Sequence, residues 1–148
     1  MIVLDASAAV EWLLQTETGI VVEARLFARA ETLHAPHLLD LEIAQVLRRY
    51  NAAGVLPASR AEGALDDLAH LAVRRYPHAP FLERMWELRG SLTAYDAVYV
   101  ALAEALAAPL LTCDRKMAAA GHRARVELVS SVQARRSFSP PALDPGIV

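Results

Sequence analysis

An α/β fold built on a parallel sheet is predicted by three features of the sequence. Short apolar runs at Ile2-Val3-Leu4 and Leu110–Cys113, with further strand candidates at Thr32–Ala35 and Val126–Val129, alternate with longer segments whose apolar residues recur at helical spacing. Strands separated by helices in this way join through right-handed crossovers into a parallel sheet. The 148-residue length suits one domain with a substantial core. The 55% hydrophobic content includes only 6% aromatics and much alanine, which favours closely packed helices over a β-sandwich.

Taken in order, Ile2-Val3-Leu4 reads as a strand buried on both faces and ending at Asp5. Ser7 is placed to cap a helix over Ala8–Leu14. Thr18 is placed to cap another, with Ile20, Ala24, Phe27 and Ala28 turned to the sheet. Thr32–Ala35 is the next strand, stopped by Pro36. Leu39, Ile43, Val46, Leu47 and Tyr50 mark a helix over Leu38–Tyr50, with Asp40 as a competing cap. Gly54 and Pro57 stop and restart the chain, and Ala61, Leu65, Leu68 and Leu71 or Ala72 continue it as a helix over Ser59–Val73, closing a helical hairpin. A short strand near Val73–Tyr76 precedes a short helix opened by Pro80, carrying Leu82, Met85 and Trp86 and ended by Gly90. Thr93 begins the alanine-rich helix Ala94–Ala107, which Pro109 terminates. Leu110–Cys113 ends in Asp114, Lys116–Ala120 forms a brief helix closed by Gly121, and Val126–Val129 is the last strand. From Ser130 the composition turns to Ser, Arg, Pro and Gly without periodicity, so residues 1–129 are expected to fold and residues 130–148 to form a disordered tail.

Several function classes are disfavoured. A net charge of −2 supplies no global field to attract nucleic acid, so any such contact relies on local arginines. Cys113, the single cysteine, forms no internal disulfide, which fits a reducing cytoplasm. The amino terminus lacks the basic and apolar pattern of a leader. The most apolar stretch, Ala97 to Cys113, is interrupted by Glu104 and Pro109 and falls short of the ~20 apolar residues a membrane span needs.

Chemistry concentrates in four acids. Asp5 and Asp114 each follow an apolar strand, and parallel sheets bind ligands at the carboxyl ends of their strands. Glu42 and Asp96 lie in or near the first turns of strong helices, which start at that same edge. Gathered there, four carboxylates would repel one another unless a cation compensates, and magnesium or manganese suits all-oxygen ligands. Each acid also has a structural reading. Asp96 completes a capping box with Thr93, Glu42 complements a helix dipole, and Asp5 and Asp114 serve as turn residues beside Ser7 and Thr112.

Met1–Ala8 (MIVLDASA), Leu38–Ile43 (LLDLEI), Leu92–Ala103 (LTAYDAVYVALA) and Leu110–Asp114 (LLTCD) together resemble a PIN domain of the VapC toxin type. The resemblance spans residues 1–129 and implies a three-layer α/β/α sandwich with a short parallel sheet. It further implies a magnesium-dependent endoribonuclease, with manganese as a substitute, that acts as the toxin of a toxin–antitoxin pair. Asp5, Glu42, Asp96 and Asp114 then match the family's acids. Asp5, Asp96 and Asp114 would hold the metal, and Ser7 and Thr112 match supporting hydroxyl positions. The implied partners are RNA, a VapB-type antitoxin and a second copy of the chain. After Asp114, Arg115, Lys116 and Met117 stand where many relatives carry another acid or an asparagine, which removes support for a second metal there.

Arg115 and Lys116 are the nearest cations in sequence for binding RNA, or else solvated first-turn side chains. Arg48 and Arg49 face solvent or an antitoxin, and Arg74-Arg75 and Arg135-Arg136 read as solvated pairs. Pro36 separates His34 from His37 and argues against a zinc pair, while His70, His78 and His122 read as surface or capping residues. Cys113 reads as a small buried residue, and Trp12 and Trp86 as core or interface anchors. Two other readings remain at this point: an aspartate-based phosphotransferase using Asp5 with Lys116, and a catalytically silent binding or dimerisation module on the same fold.

Overall fold

The computed structural model describes residues 1–119 and 121–130. The expected tail therefore lies outside the described residues, apart from Ser130. The chain runs β1 (Ile2–Leu4), α1 (Ala6–Leu13), α2 (Glu17–Phe27), β2 (Leu33–Pro36), α3 (Leu38–Ala52), α4 (Ala58–His70), β3 (Val73–Tyr76), α5 (Leu82–Glu87, flanked by single 3₁₀ turns), α6 (Ala94–Leu106), β4 (Leu110–Thr112), α7 (Arg115–Ala119) and β5 (Val126–Leu128). The five strands form one sheet in the order β3-β2-β1-β4-β5, with every neighbouring pair parallel.

That order dictates the layers. From β1 to β2 to β3 the chain steps one way across the sheet; it then crosses to β4 and steps the other way to β5. Right-handed crossovers consequently place α1–α4 on one face and α5–α7 on the other. The packing agrees, since α1 meets α2, α3 and α4, whereas α5 packs on α6 and α6 lies against β1, β2 and β4. The α/β/α expectation holds. The order reverses between β1 and β4, whose carboxyl ends lie side by side, and such a switch point opens a crevice at the sheet edge. Val3 pairs with both His34 and Leu110, and the Asp5 amide donates to the Leu111 carbonyl at 3.0 Å, so Asp5 leaves β1 directly beside β4.

The core is aliphatic and centred on β1: Ile2, Val3 and Leu4 are fully buried, with Leu110 and Leu111 beside them and Val98, Tyr99 and Leu102 of α6 also in the core. Leu39, Ile43 and Leu47 form the buried stripe of α3, the i, i+4, i+8 pattern expected of a helix packed on one side.

Several local expectations are corrected. Asp5, not Ser7, is the N-cap of α1, because its carboxylate accepts the Ser7 amide. Thr16 rather than Thr18 caps α2 through the Gly19 amide. The buried face of α2 is Gly19, Val22 and Leu26, while Ile20 and Phe27 are exposed. This helix packs chiefly on α1 rather than on the sheet. A Cβ at Gly19 would lie 2.0 Å from the Glu11 carbonyl oxygen, so glycine permits that close approach. Helix α4 buries Ala64 and Leu68 and leaves Leu65 exposed. Asp40 does not cap α3. It pairs with Arg75 through Nε at 2.7 Å and Nη2 at 2.9 Å, so Arg75 is an anchor between β3 and α3 rather than a solvated charge. His78 does cap, its Nε2 accepting the Leu38 amide at 3.1 Å. Trp12 packs edge-on against Phe27 beside the core, whereas Trp86 is exposed with the Arg89 guanidinium over its ring.

Candidate active site

At the switch point a cleft of about 770 Å³ is lined by residues from β1, α1, α3, α6 and the β4–α7 connection. All four acids singled out from the sequence, Asp5, Glu42, Asp96 and Asp114, line it, together with Ser7. Each arrives for a distinct local reason. Asp5 follows β1 and caps α1, and Asp114 follows the neighbouring β4 through Cys113. Glu42 projects from the second turn of α3, and Asp96 from the first turn of α6, where the Thr93 hydroxyl accepts its amide at 3.2 Å. That bond is the Thr93 half of the expected capping box, so the capping and site readings of Asp96 are compatible.

Asp5 is the fixed point, only 4% exposed. Its Oδ2 accepts bonds from the Ser7 amide at 3.3 Å, from the Thr112 hydroxyl at 2.8 Å and from the Ser7 hydroxyl. Each hydroxyl carries one proton and directs it to Asp5, leaving its oxygen free to accept from elsewhere. Ser7 Oγ takes the Cys113 amide at 2.9 Å, and Thr112 Oγ1 takes the Asp114 amide at 2.9 Å. Two hydroxyls thus lock Asp5 to the backbone that carries Asp114. Burial pushes the Asp5 carboxyl above its usual range despite these bonds.

Glu42 is raised as well, first by burial and then by the charges of Asp5 and Asp96. The Tyr99 hydroxyl opposes this by donating to Glu42 Oε2 at 2.6 Å. Burial and the neighbouring carboxylates keep Tyr99 protonated far above the normal phenol range. The Cys113 thiol is pushed up to about 12 by burial, then by Glu11 and Asp5, so it is neither a nucleophile nor a ready thiolate ligand.

Two residues that bear on the cleft were missed in the sequence, and a third, Arg49, read as facing solvent or an antitoxin, lines it. Glu11 lies one turn beyond Ser7 on α1, Arg49 two turns beyond Glu42 on α3, and Tyr99 one turn beyond Asp96 on α6. Helical spacing from a known site residue was the available signal for all three. The cleft wall includes Arg49 but not Arg115 or Lys116, which are exposed at the start of α7. With Lys116 outside the lining, the pairing that suggested a phosphotransferase is lost. His34 is committed within the fold, between the Thr32 hydroxyl and the Tyr76 hydroxyl, each at 2.8 Å.

Among the described residues no three His, Cys, Asp or Glu side chains form a ready-made metal cluster. The carboxylates share a cleft without being drawn onto one point, as expected of like charges.

Comparison with known proteins decides the family. The PIN domain model matches residues 2–123. Ribonuclease VapC12 of Mycobacterium tuberculosis is 44% identical over 131 residues, covering 88% of this chain and all of the relative, and ribonuclease VapC9 of the same species is 48% identical over 121 residues, covering 82% and 91%. The chain belongs to the VapC family of PIN-domain ribonucleases. Solved structures share its fold. Mycobacterium tuberculosis VapC20, described as a sarcin–ricin loop cleaving toxin, has a TM-score of 0.65 at 17% identity, covering 83% of this chain and 97% of that one. VapBC2 of Rickettsia felis, bound to a promoter DNA fragment, has a TM-score of 0.64 at 16% identity, covering 88% and 100%. No helix among the described residues of this VapC-family chain is long and apolar enough to cross a membrane.

Proposed function

We propose that this VapC-family chain is a magnesium-dependent endoribonuclease, the toxin of a VapBC-type pair, which hydrolyses RNA phosphodiester bonds with water. The observation that carries the reading is the convergence of four acids from four separate elements on one cleft, around the buried Asp5 at the β1–β4 switch point. Relatives named as ribonucleases support the same chemistry.

The donor set fits a hard divalent cation. The lining offers carboxylate oxygens, no histidine among the described residues, and a thiol that stays protonated at neutral pH. Magnesium commonly takes one or two carboxylates and keeps several waters, so acids spaced around a cleft suit it. Asp5, Asp96 and Asp114 would hold the ion, with manganese as a substitute. When bound, it supplies Lewis acidity that strengthens water as a nucleophile and offsets charge developing on the phosphate.

The side chains do the rest. Glu42, its carboxyl raised by burial and held by Tyr99, accepts a proton from the attacking water. Arg49 on the cleft wall offers a guanidinium to a phosphate and counters the repulsion between RNA and the acids. As water adds to phosphorus, the bond to the 3′-oxygen breaks and that oxygen takes a proton from solvent water, leaving a 3′-hydroxyl and a 5′-phosphate. The test compares magnesium-dependent cleavage of RNA by the wild type and by folded Asp5→Asn and Asp96→Asn variants. Loss in both variants with 5′-phosphate products is expected; equal activity in all three, or a 2′,3′-cyclic phosphate, overturns the reading.

The same cleft suits the antitoxin. Leu38, Leu41, Val46 and Tyr50 give it an apolar wall beside the acids, a match for an apolar segment carrying an arginine that pairs with the carboxylates. A toxin–antitoxin complex that leaves the cleft open to solvent contradicts this assignment. A second copy of the chain is the other expected partner, and light scattering on the purified toxin tests for a homodimer.

A further inference from the structure

We propose that Tyr99 is a positioning residue for Glu42, its hydroxyl fixing one carboxylate oxygen so that the other is presented to the cleft. The ribonuclease reading enters only in what Glu42 does once positioned. Tyr99 is fully buried within Ala97–Ala103, a stretch of α6 that is otherwise alanine, valine and leucine. Phenylalanine would fill the same space, so the hydroxyl is not required for packing. A buried hydroxyl needs a partner, and this one donates to Glu42 Oε2 at 2.6 Å. Helices α3 and α6 lie on opposite faces of the sheet, so the bond ties the two outer layers together across the carboxyl edge. Asp5 shows the same device, its carboxylate held by the hydroxyls of Ser7 and Thr112. In both places a carboxylate of the cleft is oriented by a hydroxyl whose own position the fold determines.

The test uses Tyr99→Phe, alone and combined with Glu42→Gln. Loss of an orienting partner is expected to lower kcat on a short RNA about 10- to 100-fold, with KM changed by less than about threefold. In metal-free crystals of Tyr99→Phe, the backbones of α3 and α6 are expected to superimpose on the wild type while the Glu42 carboxylate turns away. Tyr99→Phe is expected to cost nothing further in the Glu42→Gln background. Unchanged kcat, displaced helices or additive losses in the double variant each overturn the proposal. A wild type that does not cleave RNA overturns the ribonuclease reading alone. The crystals then decide Tyr99: a displaced carboxylate sustains its role, and an undisturbed one refutes it.

Discussion

The strand-borne half of the cleft differs from the helix-borne half. Asp5 and Asp114 leave adjacent strands and are joined by Ser7 and Thr112, whose hydroxyls donate to the Asp5 carboxylate while accepting amides from the Asp114 segment. Glu42 and Asp96 depend on where α3 and α6 begin, and each has a lighter tether: the Tyr99 hydroxyl for Glu42 and the Thr93 cap for the Asp96 amide. One half is tied into the sheet register by the Ser7 and Thr112 hydroxyls, so removing either hydroxyl disturbs the fold, whereas the Asp5 charge itself is a burial cost. The other half is set by helix placement, where removing a tether costs less stability.

The largest effect is expected at the buried acid. Asp5→Asn should reduce RNA cleavage about a hundredfold to a thousandfold, as for loss of a preorganised charged group. Its effect on stability should run the other way. A carboxyl raised by burial binds its proton more tightly folded than unfolded, so stability is penalised as pH rises from about 4 through the raised folded value. In chelator at pH 7, Asp5→Asn should therefore match or exceed the wild type in melting temperature, and its advantage should vanish in acid. Glu31 and Glu104 carry the opposite sign. Arg25 and Arg84 hold them below the usual range, so their contribution is present at neutral pH and fades as pH falls through their folded values. Melting curves from pH 3 to 8 separate the two sets.

Next comes Thr112→Val, which removes a donor to Asp5 and an acceptor for the Asp114 amide in a fully buried position. It should cost ~1–3 kcal/mol of stability, and cleavage should fall about tenfold or more. Thr93→Ala removes the cap of α6 and should cost ~1 kcal/mol by denaturant unfolding, with a smaller loss of activity because Asp96 keeps its helix position. The smallest effect belongs to Arg75→Ala, at ~1 kcal/mol or less, since the Asp40 pair is partly solvated and distant from the chemistry. A stability loss for Thr93→Ala as large as that of Thr112→Val would erase the contrast between the two halves.

The sheet was readable because β1 and β4 are short aliphatic runs that each lead into an acid, and all five strands fall within a residue of the expected bounds, with Pro36 the last residue of β2 rather than its stop. Cap identity was less readable. Ser7 and Thr18 are good capping residues on propensity alone, but Asp5 and Thr16 take the role because the preceding strand and turn place their side chains over the first amides. Buried faces of α2 and α4 were misread because both pack on other helices, so their apolar stripes answer to neighbours invisible in a local pattern. Of the site, the four acids and two hydroxyls were legible from motif order. Glu11 and Tyr99 were not, and Arg49 was read only as facing solvent or an antitoxin, since each sits one or two turns from a motif residue and is selected by the direction its helix faces. Arg115 and Lys116 were favoured by closeness in sequence to Asp114, yet the turn into α7 leaves them outside the cleft lining.

If the acids around Asp5 hold a divalent ion in the β1–β4 crevice, anomalous diffraction from manganese-soaked crystals will locate it there. A peak in the cleft against Asp5, Asp96 and Asp114 is expected, absent in Asp5→Asn crystals grown alike. A peak elsewhere, or one that survives the substitution unchanged, contradicts the account.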